Sequence, residues 1–145
     1  MAAALLRQLL TEKGSAADWQ VASGGTWAEP DLPATALAIA TLRPKGIDLG
    51  PHQSRIVNAE MLDAASLVLV MTRNHLEALC AEFPKMSAKF YLLSQLIGQT
   101  FDIEDPFGGS LTDYQQCAAE MEHILTDGFD RLVELTDRVS EQPSK

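Results

Sequence analysis

The chain has 145 residues, of which 46% are hydrophobic and 21% charged, which suits one compact domain with apolar material for a single core. Its net charge of -9 argues against a nucleic-acid surface, which needs a basic face. No apolar run approaches the roughly 20 residues that cross a bilayer, and the N-terminus has no small-residue cleavage site, so a soluble cytoplasmic protein with no membrane partner is expected.

Ala2 to Lys13 reads as a helix, because Leu5, Leu6, Leu9 and Leu10 recur at helical spacing and Gly14 follows as a stop signal. Trp19 to Ala22 is short and apolar and reads as a strand entering the loop at Ser23, Gly24 and Gly25. Pro33 suits the first turn of a second helix, which runs to about Lys45 and stops at Pro44 and Gly46. Asn58 caps a short helix through Asp63.

Leu67 to Met71 is a continuous apolar run rich in β-branched residues, the pattern of a strand buried on both faces of a parallel sheet. Thr72 caps a helix through Glu82, with Pro84 just beyond it. Lys89 to Leu93 is another strand, and Thr100 to Ser110 is a loop holding Asp105-Pro106 and Gly108-Gly109. One long final helix runs from about Leu111 to Val139, with Leu111, Tyr114, Ala118, Met121, Leu125, Phe129, Leu132 and Leu135 at its apolar positions.

Helices alternating with short buried strands predict an α/β layered domain with a parallel sheet over residues 1–140, followed by a C-terminal tail at 141–145. Three strands are few for a parallel sheet covered on both sides, which points to an element missing at the front. The sequence has no GxGxxG, no Walker loop and no HExxH. His75 and His123 lie in helical stretches without ligand-spaced partners, so neither a metal nor a cofactor is expected.

Four segments carry a family resemblance: SGGTW at 23–27, GIDLGPHQSR at 46–55, LVLVMTRNHLEAL at 67–79 and IEDPFGG at 103–109. In order and spacing they resemble the low-molecular-weight protein tyrosine phosphatases, and MAAALLRQLL at 1–10 resembles that family's first helix. The resemblance implies a phosphatase-like parallel sheet with helices on both faces. It also implies hydrolysis of phosphotyrosine in proteins through a cysteinyl-phosphate.

Family members begin with a strand and a phosphate loop in which a nucleophilic Cys is followed, after five residues, by Arg. Met1 falls just after that loop in the resemblance. The central first strand, the Cys and the Arg are therefore expected to be missing, and this chain as given is expected to be inactive. Met1 reads on this view as an internal residue of a longer gene product. The unpaired strand edges suggest pairing with a second copy.

The remaining cysteines do not replace the nucleophile. Six residues after Cys80 stands Met86, and six after Cys117 stands His123, neither of them Arg. Both cysteines lie in helical patterns, where they read as small helix residues, and thiols are expected rather than a disulfide.

The resemblance gives Asp105 the role of general acid, protonating the departing phenolate and then activating water. It gives Ser23 and His52 roles in bracing the phosphate loop, although a turn serine and an exposed loop imidazole are equally good readings. It places Trp27 and Phe107 on the flanks of the cleft, contacting a substrate ring, with plain packing as the competing reading. Arg55 could bind phosphate, but a surface or salt-bridging residue is the preferred reading. Two alternatives stand beside the phosphatase: an arsenate reductase of the same fold, which would rely on additional cysteines, and a non-catalytic remnant that binds a partner.

Overall fold

The computed structural model describes residues 1–141, so the tail expected at 141–145 lies outside the described residues except for Glu141. In chain order the helices are α1 (Ala2–Glu12), α2 (Ala36–Leu42), α3 (Ala59–Ala64), α4 (Arg73–Glu82), α5 (Leu111–Asp127) and α6 (Phe129–Ser140). The strands are β1 (Val68–Val70) and β2 (Phe90–Leu92). Contacts group the residues into two compact units. The first joins Met1–Ile56 with Asp105–His123, and the second joins Val57–Glu104 with the residues from Ile124 onward.

In the first unit, α1 buries Leu5 and Leu10, and α2 buries Ala38, Thr41 and Leu42. Leu49, Tyr114, Cys117, Ala118 and Met121 complete the buried set of that unit. Gly14, at φ +71, lets the chain leave α1 while the Ser15 N–H donates to the Leu10 carbonyl at 2.9 Å. Helix α2 starts later than expected. Thr35 is its cap, accepting from the Ala38 N–H at 3.2 Å. Pro33 lies outside the helix, in an isolated antiparallel bridge with Gln53.

The strand expected over Trp19–Ala22 does not form. A strand needs a neighbouring backbone to bond along its length. The Val21 carbonyl accepts instead from the Arg7 guanidinium at 2.6 Å, and the one isolated parallel bridge nearby lies beyond the segment, Gly25 with Ile56.

In the second unit, side-chain caps start α3 and α4 as expected. Asn58 accepts from the Met61 N–H at 2.9 Å, and Thr72 accepts from the His75 N–H at 3.2 Å. Strands β1 and β2 pair in parallel, Val68 with Phe90, Leu69 with Tyr91 and Val70 with Leu92. Phe90 and Leu92 are buried, whereas Val68, Leu69 and Val70 are only half-buried. The expectation of burial on both faces thus fails for β1, which pairs along one edge in a two-stranded sheet among the described residues. Leu62, Leu79 and Phe90 form an apolar cluster, with Cys80 packed against it.

The single helix expected from Leu111 to Val139 is two helices, broken at Gly128. Apolar periodicity crosses the break, since Leu125, Leu132 and Leu135 are all buried, so the pattern alone hides it. A Cβ at Gly128 would lie 2.5 Å from Leu96 Cβ and 2.7 Å from the Ile124 carbonyl oxygen. Gly128→Ala would gain helix propensity in an open helix. Here it is expected to destabilise by about 1–3 kcal/mol, the usual cost of overpacking. Urea unfolding of the variant measures this, and an unchanged or raised midpoint would show that the approach to Leu96 relaxes without cost.

Candidate active site

The first unit contains a cleft of about 940 Å³. The loop before α5 sets one part of its wall. Pro106 biases Asp105 toward an extended backbone, and Asp105 Oδ1 accepts from the Phe107 N–H at 3.0 Å. The Gly109 N–H then donates to the Pro106 carbonyl at 2.9 Å, with Gly108 at φ +82, a region that glycine enters without a steric cost. A reciprocal cap closes the loop. Asp113 accepts from the Ser110 N–H at 2.7 Å and from its hydroxyl, while Ser110 Oγ accepts from the Asp113 N–H. These bonds, the backbone one first, hold the Asp113 carboxyl below its usual range.

The segment at 46–55 supplies a second part of the wall. Asp48 Oδ1 accepts from the Gly50 N–H at 2.8 Å, and the His52 N–H donates to the Leu49 carbonyl at 3.1 Å. Burial lowers the His52 pKa, and the positive charges of the amino terminus, Arg7 and Arg55 lower it further. Arg55 Nε–H donates to the Ser23 carbonyl at 3.2 Å. Thr35, the cap of α2, donates its hydroxyl to the Tyr114 Oη at 3.2 Å, and both residues line the cleft.

Ser54 straps the arm 25–33 to this segment. Its hydroxyl accepts from the Leu32 N–H at 2.9 Å and donates to the Glu29 carbonyl. Its carbonyl accepts from the Asp31 N–H at 2.8 Å, and its own N–H donates to the Leu32 carbonyl at 2.8 Å. Asp31 takes φ 62, a left-handed conformation that Asp tolerates better than most residues.

Ser23, His52, Asp105 and Phe107 all line the cleft. Trp27 does not. It lies on the strapped arm, 91% exposed. Phe107 combines a place on the cleft wall with 75% exposure, so it is a rim residue. Arg7, Asp31 and Tyr114 also line the cleft and were not singled out from the sequence. A signal existed for Arg7, the one charged residue in the first ten.

Neither cysteine is set up as a nucleophile. Cys80 is half-buried on α4 among apolar neighbours. Cys117 is buried on α5. Burial pushes its thiol pKa up, the Glu120 and Asp105 carboxylates add to the rise, and the amino-terminal charge opposes it. That favours the thiol over the reactive thiolate. Among the described residues, no group of three or more His, Cys, Asp or Glu is placed to hold a metal ion.

Residues 1–138 match the family described as low molecular weight phosphotyrosine protein phosphatase. The chain is 34% identical over 126 residues to a protein-arginine-phosphatase of Bacillus subtilis, covering 86% of this chain and 82% of that protein. It is 35% identical over 135 residues to a protein-arginine-phosphatase of Geobacillus stearothermophilus, covering 92% and 84%. Among solved structures, a low-molecular-weight protein tyrosine phosphatase from T. tengcongensis aligns with a TM-score of 0.84 at 27% identity, covering 90% of this chain and 88% of that one. YwlE arginine phosphatase from Geobacillus stearothermophilus aligns at 0.81 with 31% identity, covering 97% and 87%. The phosphatase-like α/β fold read from the four motifs is thereby borne out.

Proposed function

Because the chain belongs to the low-molecular-weight phosphotyrosine protein phosphatase family, we propose that the cleft of its first unit is a phosphomonoester site in which Asp105 is the general acid and then the general base. One observation carries this reading: Ser23, His52, Asp105 and Phe107, scattered over 85 positions of sequence, line a single cleft.

The turn at Asp105 fixes one carboxyl oxygen on the Phe107 N–H. The other oxygen is the one assigned to proton transfer: it protonates the leaving oxygen, then takes a proton from the water that attacks the phosphoenzyme. Phe107 at the rim offers an apolar surface to the side chain that bears the phosphoryl group. Trp27, away from the cleft wall, is assigned a contact with the surrounding protein substrate. Ser23 and His52 are assigned the bracing of a phosphate loop.

Neither Cys80 nor Cys117 is followed by Arg at the sixth position, and we expect these 145 residues by themselves to lack turnover. A form extended at its N-terminus by a hydrophobic strand and a loop of Cys, five residues and Arg is expected to hydrolyse para-nitrophenyl phosphate. An inactive extended form would overturn this reading of the cleft.

The substrate we propose is a phosphorylated protein side chain, phosphotyrosine in keeping with the family and phosphoarginine as a second reading. The second is favoured by the names of the two relatives whose matches each span more than 80% of their length. Peptides bearing each group, compared on the extended form, decide between them. An arsenate reductase would need further cysteines near the nucleophile, and Cys80 sits in an apolar cluster. No helix among the described residues is long and apolar enough to cross a membrane. A cytoplasmic setting, and self-association through unpaired strand edges, remain parts of this proposal that fractionation and size-exclusion measurements would test.

A further inference from the structure

Two guanidinium groups meet one stretch of backbone in the cleft wall. Arg7, on α1, donates from Nη2 to the Val21 carbonyl at 2.6 Å. Arg55 donates from Nε to the Ser23 carbonyl at 3.2 Å. Both residues line the cleft. A guanidinium has five N–H donors in a rigid fork, and each carbonyl occupies one. The bonds thus fix both heads at carbonyls two residues apart and leave other donors of each fork unused.

Neither arginine is in an ion pair among the described residues. That is unusual company for a chain with 20 acidic against 11 basic residues, where carboxylate partners are plentiful. Both charges also reach His52, whose pKa they help to lower. Two like charges held in one recess without a counterion repel each other, and an anion placed between them removes that cost. The acids of the cleft, Asp31, Asp48 and Asp105, do not supply that anion by direct contact, since none of them is ion-paired with either guanidinium among the described residues.

We propose that Arg7 and Arg55 form a two-armed oxyanion site that holds a phosphoryl group in this cleft without any nucleophile. A tetrahedral oxyanion suits the pair because forked donors on two elements can each bond separate oxygens. The inference rests on reading this cleft as a phosphomonoester site and adds a specific anchor to it.

The test is titration of inorganic phosphate into the full 145-residue chain, followed by calorimetry or amide chemical shifts at constant ionic strength. Saturable binding to one site is expected, weakening as salt is raised. Arg7→Gln and Arg55→Gln should each weaken it about tenfold or more, as removal of a charged hydrogen-bond partner does. The double variant should show no saturable binding. Since each arginine also ties down a carbonyl, thermal melts accompany every variant. Arg7→Lys and Arg55→Lys keep the charge and a donor, and should weaken binding by less than the Gln variants. If a Gln variant fails to fold, the Lys variant decides. Phenyl phosphate should compete for the same site, which distinguishes a substrate phosphoryl group from free phosphate alone. The proposal is overturned by a folded wild type that does not bind phosphate, by folded variants that bind it as the wild type does, or by phenyl phosphate that fails to compete. Binding is read without turnover, so an inactive extended form would count against the role of Asp105 and leave this result standing.

Discussion

Asp105→Asn is expected to lower kcat/KM for an aryl phosphate about 10²- to 10⁴-fold in the extended form, the range of a positioned general acid. The substitution is conservative in shape. An Asn side-chain oxygen can still accept from the Phe107 N–H, as Asp105 Oδ1 does at 3.0 Å, so the turn through Gly108 and Gly109 is retained. What is lost is the transferable proton. The deficit should therefore grow as the leaving group becomes poorer, since an unaided phenolate departs in proportion to its own stability. Thermal stability should stay close to that of the parent. A deficit below about tenfold, or one independent of the leaving group, would remove Asp105 from proton transfer.

Leu42→Ala is expected to cost about 2–5 kcal/mol of stability, the range for truncating a buried leucine. Leu42 is fully buried, at 0% exposure, near the C-terminal end of α2. That helix begins beside the cleft, where Thr35 caps it and reaches Tyr114 while Ala38 lines the wall. A hole behind Leu42 thus loosens the helix that carries part of the site. Against a total stability of about 5–15 kcal/mol, the chain should unfold at a much lower urea concentration. A loss under about 1 kcal/mol would mean that the core collapses around the gap.

How far the sequence revealed this molecule depends on how local each signal was. The caps at Asn58 and Thr72 act within three residues, on the Met61 and His75 amides, so the helices they start were legible. The turn of Asp105, Pro106, Gly108 and Gly109 was legible for the same reason. A strand at Trp19–Ala22 was not, because strands depend on distant neighbours, and the Val21 carbonyl went to Arg7 instead. Thr35 rather than Pro33 opened α2 because its side chain meets a helix amide. The break at Gly128 was hidden by apolar spacing that continues through it. In the cleft, four candidate residues came together, but Trp27 did not join them. Its position follows from the strap made by Ser54, which joins segments some 25 positions apart. Arg7 stands out as the one charged residue in the first ten, but its place in the cleft depends on a distant partner, the Val21 carbonyl.

The division of labour proposed for this chain, acid and anion anchors present and activated sulfur absent, is tested by one assay on the 145 residues alone. Nitrophenolate release from para-nitrophenyl phosphate should not exceed that of buffer, even at high protein concentration. Steady release that Asp105→Asn abolishes would contradict it, since it would require a working nucleophile within these residues.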